Sequence, residues 1–202
     1  MNKTTNLAYS KSTNQEVKSS WYALRTTYGR EKKAYDYMTN KGVSAFLPTI
    51  EVVKMIKGKR RLVSESRIPN MFFAYGTKEE IESFVYDNVN LPYLRFYYRR
   101  IRVGNGIDNV PMIVPEYQMD NLKIICASGA ENIIITSEEV QKFKIGYRVE
   151  VVDGKFKGLV GRVARWQGQQ RVGIVIEGLG TMVTAYVPKA FLRLLLYKPI
   201  DL

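Results

Sequence analysis

The chain has 202 residues, with 31 Lys plus Arg against 19 Asp plus Glu, a formal charge of +12, no His and one Cys. Without histidine it has no Ser-His-Asp triad, no Cys-His pair and none of the common His-containing zinc sites, and Cys126 alone makes no intrachain disulfide. At 46% apolar it can bury a core, no stretch reaches the roughly 20 apolar residues of a membrane helix, and a pI near 9.7 points to a polyanion, nucleic acid first.

Residues 1–20 are polar and aperiodic and read as a disordered tail. Their lack of an apolar centre argues against a signal peptide, so the protein is expected in the cytoplasm. From Trp21 a strand runs to the Thr27-Tyr-Gly-Arg30 turn, and a helix follows from Arg30 to Lys41 with Ala34 and Met38 inward and Gly42 as its stop. Two β-rich runs, Val43 to Val53 and Leu62 to Tyr75, flank the basic segment Lys54 to Arg61, where Lys57-Gly58 offers a hairpin turn. Thr77 and Glu80 fit a capping box for a second helix with Ile81, Phe84 and Val85 on its apolar side. Tyr93 to Val103 reads as one further strand, and Pro115 opens a third helix carrying Met119, Leu122, Ile125 and Cys126. Small and polar residues over 128–139 suggest a linker, interrupted by Ile133, Ile134 and Ile135. Beyond Val140, short strands between glycine turns suggest a small all-β domain.

Three groups of residues stand out as binding candidates. Arg30, Lys33, Tyr37 and Lys41 are spaced 3, 4 and 4 along one side of the first helix. Such a stripe is either a solvated face or a phosphate track with a ring for stacking. Lys57, Lys59, Arg60 and Arg61, with Lys54, make a basic hairpin whose alternatives are an edge made soluble by charge or a nucleic-acid contact. Around Ile68 and Pro69, strand alternation puts Met71 and Phe73 on one face and Phe72 on the other, without saying which face is the core. The carboxylates show no paired spacing for a metal or a hydrolytic site, so no enzyme, cofactor or metal is expected.

Trp21-Tyr-Ala-Leu-Arg25 with Gly29-Arg-Glu-Lys-Lys33, then Arg67-Ile-Pro-Asn-Met-Phe-Phe-Ala-Tyr75, then Gly146-Tyr-Arg-Val-Glu-Val-Val-Asp-Gly-Lys-Phe-Lys-Gly-Leu-Val-Gly161, resemble in order the signatures of the NusG family of transcription elongation factors. Asn70 and Met71 stand where the family's strand has Gly and Tyr. The resemblance implies an α+β protein. An N-terminal α/β sandwich (NGN) with a mixed, mainly antiparallel sheet over 21–127 would be joined through the 128–139 linker to a small SH3-like β-barrel (KOW) over 140–197, with a short tail at 198–202. The tail, the basic hairpin and the Val114-Pro-Glu-Tyr-Gln-Met119 segment most resemble the capsular-polysaccharide operon antiterminators of the Bacteroides type, with a housekeeping NusG as the alternative.

By resemblance, the NGN domain would bind the clamp helices of the largest RNA polymerase subunit through Ile68, Pro69, Met71 and Phe73. It would meet non-template or upstream DNA, and nascent RNA as a further contact, through Arg30, Lys33, Tyr37, Lys41, Lys57, Lys59, Arg60 and Arg61. Phe156 and Lys157, expected on an exposed loop, would meet a ribosomal protein or termination factor. The protein is expected to act as a monomer off the membrane. A free RNA-binding module of ribosomal type is the rival reading. Some family members hold the C-terminal domain as a helical hairpin, whereas β-branched runs between glycines here favour strands.

Overall fold

The computed structural model of the chain describes residues 18–104, 106–136, 146–176 and 179–195. Most of the expected N-terminal tail, the end of the expected linker with the start of the next domain (137–145), and the expected C-terminal tail lie outside the described residues.

The N-terminal sheet is built from β1 (Ser20–Thr26), β2 (Ser44–Phe46), β5 (Met71–Gly76), β6 (Leu94–Phe96) and β9 (Ile113–Val114). Helix α1 (Glu31–Asn40) connects β1 to β2. Between β2 and β5 rises a two-stranded ribbon, β3 (Thr49–Ile56) and β4 (Lys59–Ser66). Helix α2 (Lys78–Val85) leads to β6, and a second ribbon, β7 (Tyr98–Val103) and β8 (Gly106–Pro111), separates β6 from β9. Helix α3 (Glu116–Ala127) closes this part.

The strand order is β2-β5-β1-β6, with β9 also on β1, and every described pairing is antiparallel. The mixed sheet expected from sequence is corrected here. β1 and β2 do run parallel across their helical crossover, but β5 inserts between them and is antiparallel to both.

Period-two alternation gives this sheet two buried faces. Tyr22, Leu24, Phe72 and Ala74 pack under α1 and α2 against Ala34, Met38, Ile81 and Val85. Trp21, Ala23, Met71 and Phe73 point the other way, toward α3 residues Met119, Leu122 and Ile125. α1 buries Ala34 and Met38, one turn apart, as their spacing requires. α2 starts where the Thr77 hydroxyl accepts from the Glu80 amide at 3.2 Å.

The C-terminal sheet has the order β10-β14-β13-β12-β11-β15. Its strands are β10 (Ile134–Thr136), β11 (Arg148–Val151), β12 (Val160–Trp166), β13 (Gln169–Ile176), β14 (Gly180–Val183) and β15 (Leu192–Leu194), the last preceded by a 3-10 turn at Lys189–Phe191. The small barrel expected there takes the form, among the described residues, of an open path with β10 and β15 as its edges. Part of the expected linker belongs to it, because Ile134 pairs with Val183 and Ile135 with Met182. Gly161 is required in β12: a Cβ there would sit 2.5 Å from the Gly173 carbonyl oxygen and 2.7 Å from Val172 on β13.

The two sheets meet across α3. Val149, Val151, Phe156, Leu159, Val172, Ile174 and Ile176 belong to the same apolar cluster as Trp21, Met71, Phe73 and the inner face of α3. The Asn121 carboxamide ties the parts together, donating to the Val160 carbonyl at 2.8 Å and accepting from the Val160 amide at 3.0 Å. It takes the place of a neighbouring strand at the start of β12, before the pairing with β13 begins at Arg162.

Candidate functional site

The basic stripe of α1 divides into two ends. Arg30, immediately before the helix, and Lys33 are exposed and converge on one ring: the Arg30 guanidinium lies 5.0 Å and the Lys33 ammonium 5.9 Å from the centroid of Tyr93. Arg30 also lies 5.8 Å from the ring of Tyr28. At the far end, Lys41 is 5.8 Å from the ring of Tyr37. Tyr37 itself is half-buried and packs edge-on against Phe84 at 6.5 Å, so its ring is less open than its helical position suggests.

Tyr28 and Tyr93 escape a reading by helical spacing, since neither lies on α1. The local signal for Tyr28 is the Tyr28-Gly29 turn; both residues adopt left-handed backbone, φ 60 and 64. Asn70, φ 61, holds the turn, with its side-chain oxygen accepting from the Gly29 amide at 2.7 Å and its carbonyl accepting from the Thr26 amide at 2.8 Å. Tyr93 is buried, which raises its hydroxyl pKa against the opposing pull of Arg30.

The ribbon β3–β4 forms as its sequence requires. Lys57 and Gly58 both have positive φ, 51 and 73, the geometry of a two-residue type I′ turn whose twist suits a hairpin. Lys57, Lys59, Arg60 and Arg61 are all exposed. Lys54 is ion-paired with Glu65 on the facing strand, so the field of the ribbon is concentrated at its tip. One face carries Val53, Met55 and Leu62, 64%, 66% and 63% exposed, with Arg60 opposite Met55. The second ribbon presents exposed Arg99, Arg100 and Arg102. The sequence reading foresaw one strand and a turn where β6, β7 and β8 occur.

The residues expected to meet polymerase are divided by the fold. Ile68 is half-buried and Pro69 exposed, but Met71 is 7% exposed and Phe73 fully buried. The face through which the resemblance has Met71 and Phe73 meet polymerase is covered in this structure: α3 lies over it and the C-terminal sheet completes the cover. α3 is pinned at its start by the Trp21 indole, which donates to Glu116 at 2.9 Å, and two turns on by Lys123, 4.9 Å from the Trp21 ring. Just past its end, Arg67 donates to the Ala130 carbonyl at 2.7 Å. Beside that bond, burial pushes the Cys126 thiol up to about 11, opposed by the nearby Arg67 and a hydrogen bond with the Thr49 backbone.

Phe156 also departs from expectation. The 153–159 loop folds back through Lys157 N to Gly154 O at 3.1 Å and Gly158 N to Val151 O at 2.7 Å, turning Phe156 inward to 5% exposure while Lys157 stays out. Phe156, Tyr186 and Phe191 line one side of a groove of about 570 Å³ whose other wall is Gly129 to Asn132. Among the described residues no group of three or more His, Cys, Asp or Glu could hold a metal.

The arrangement is one of binding surfaces: two basic ribbons, a cation–aromatic corner at α1, and an apolar face closed by α3. The family model for NusG, described as transcription termination factor nusG, matches residues 19–144. That span includes all of these surfaces except the groove, and it covers more than half of the chain, so this chain belongs to the NusG family of transcription factors.

Proposed function

We propose that the protein is a transcription elongation and antitermination factor that binds RNA polymerase by the clamp helices of its largest subunit. Proteins of this family work in transcription with RNA polymerase and are not enzymes. The observation that carries the finer reading is the single apolar cluster in which Met71 and Phe73 lie with α3 and the C-terminal sheet. Polymerase would dock on the rim at Ile68 and Pro69 and take the place of the C-terminal sheet against α3. Binding energy then shifts the polymerase away from its paused conformation, with no chemistry on the factor.

Arg30, Lys33, Tyr37 and Lys41 on α1, and Lys57, Lys59, Arg60 and Arg61 on the ribbon, would hold non-template or upstream DNA, chiefly by its phosphates. Nascent RNA is a further candidate for the same cations. The released C-terminal sheet would recruit a ribosomal protein or termination factor through Lys157 and, once undocked, Phe156. The service proposed is to long operons such as those for polysaccharide synthesis, in the cytoplasm, as a monomer.

The test is co-purification of tagged protein with polymerase from its native host, with sequencing of the associated RNA. Wild type retains polymerase with RNA from one or a few operons, Ile68→Glu retains less, and Asn121→Ala, which loosens the cover, retains more. RNA from most genes would indicate a general factor. RNA without polymerase would favour the ribosomal-type RNA-binding reading and defeat this one.

A further inference from the structure

The ribbon β3–β4 carries more than charge. Among the described residues its strands pair only with each other, from Thr49 against Ser66 out to Ile56 against Lys59, so it stands off the sheet as an arm about 27 Å long. Residues directly opposite each other share a face of the ribbon. Val53, Leu62, Met55 and Arg60 therefore lie on one side, and Lys54, Arg61, Ile56 and Lys59 on the other. On the first side Val53, Leu62 and, one rung further out, Met55 make a contiguous aliphatic patch, each side chain about two-thirds exposed.

Strand formation does not account for the patch. Valine suits a strand, but Met and Leu are not strong strand formers, and threonine would serve an arm in water as well. Grouped apolar side chains on an exposed element mark a contact. The charge around them says with what. No carboxylate lies between Glu51 and Glu65, and exposed Lys57, Lys59, Arg60 and Arg61 occupy the turn and both faces. A second copy laid face to face would set four cations against four. The surface that fits is anionic outside and apolar within, as in a duplex, where two rows of phosphates flank stacked bases that part at a step.

We infer that the ribbon enters the minor groove of duplex DNA and bends it, with Met55 wedged at a base step, Val53 and Leu62 against the groove wall, and the four cations on the flanking phosphates. The inference rests on the reading that this ribbon meets DNA and deepens it, from phosphate contact to deformation of the duplex. An unbranched methionine near the tip suits a wedge, because it adapts to the gap that opens between two base pairs. The cations lie within two residues of the Met55–Arg60 rung, about 7 Å along either strand. That reach matches a minor groove about 6 Å wide with phosphates on both rims.

The experiment measures end-to-end FRET of a doubly labelled DNA duplex of about 20 base pairs with a central TA step, titrated with the full chain over a salt series. Wild type should raise FRET at saturation, and a duplex centred on a stiff A-tract should respond less. Met55→Ala should lose most of the rise with salt slope and melting temperature unchanged, while Met55→Leu keeps it. Arg61→Gln should flatten the salt slope by about 0.9 and still bend DNA once saturated. An RNA duplex, whose minor groove is wide and shallow, should bind through the cations without bending.

Wild type bound without a rise in FRET, a full rise with Met55→Ala, a loss that tracks a lower melting temperature, or equal bending of the RNA duplex would each overturn the inference. Full bending by Met55→Ala together with weaker polymerase retention would assign the apolar face to a protein partner instead. Polymerase is absent from the FRET assay. A chain that bends the duplex through Met55 but retains no polymerase would keep the inference and sink the proposed function, and one that retains polymerase but leaves the duplex straight would do the reverse.

Discussion

Replacing Asn121 with alanine removes a side chain that is 6% exposed and bonded twice to Val160, at 2.8 and 3.0 Å. Each such bond contributes about 1 kcal/mol net, so the pair contributes about 2 kcal/mol to the contact between α3 and the C-terminal sheet. About 2 kcal/mol is roughly a 30-fold shift in the ratio of docked to undocked molecules. The bonded groups lie outside the β12–β13 ladder, which begins at Arg162. Amide exchange separates the two effects. The Val160 amide should exchange roughly 30-fold faster in Asn121→Ala, while the amides of the Ala164–Arg171 pair keep their protection. Asn121→Asp, which keeps an acceptor for the amide and loses the donor to the carbonyl, should fall between. Unchanged exchange at Val160 would refute the account of Asn121 as the clamp. Equal loss of protection throughout β12 and β13 would show it to be part of the sheet's own core instead.

Met71→Glu places a carboxylate under α3 in an apolar cluster and should lower stability by about 3 kcal/mol in a denaturant titration, with Ile68→Glu costing less; a Met71→Glu protein as stable as wild type would mean the face is open. Gly161→Ala drives a methyl into the Gly173 carbonyl and should cost about 2 kcal/mol or more, and an unaffected midpoint would contradict the close approach of β12 and β13. Cys126 holds its proton to about pH 11 in the folded chain against roughly 8.5 when unfolded. The folded state therefore binds the extra proton between those values, so this contribution is intact below pH 8.5 or so and is lost as pH rises toward 11. Native thiol alkylation at about pH 9 should be much slower than in urea, and wild type should lose more stability than Cys126→Ala between about pH 8 and 10; equal rates or equal losses would count against burial of the thiol.

Where local chemistry decides structure, the sequence is legible. Ala34 and Met38 announce α1, Thr77 caps α2, and Lys57-Gly58 sets the ribbon turn, because each choice is made within a few residues. Where the decision is made at long range, it is not. Alternation tells that Met71 and Phe73 share a face but not that α3, far along the chain, lies over it. The glycines around Phe156 suggest an exposed loop, yet their freedom is what lets the loop turn the ring inward. The Ile133 to Ile135 run lies within a segment read as linker because the strand it pairs with, β14, comes much later. β8 has no alternation to reveal it, being an exposed strand that, among the described residues, pairs only with β7. The corner of Tyr28, Arg30 and Tyr93 is assembled by the β1–β6 register, so only Arg30 could be found by helical spacing.

The central claim is that this N-terminal domain carries a polymerase-binding surface shared with the C-terminal sheet. Its most direct test is the amount of native RNA polymerase retained by the tagged full chain, measured side by side for wild type, Ile68→Glu and Asn121→Ala, with folding of each variant checked by thermal melt. The account predicts polymerase on wild type, less on Ile68→Glu and more on Asn121→Ala. No polymerase on any of the three, with all of them folded, would contradict it.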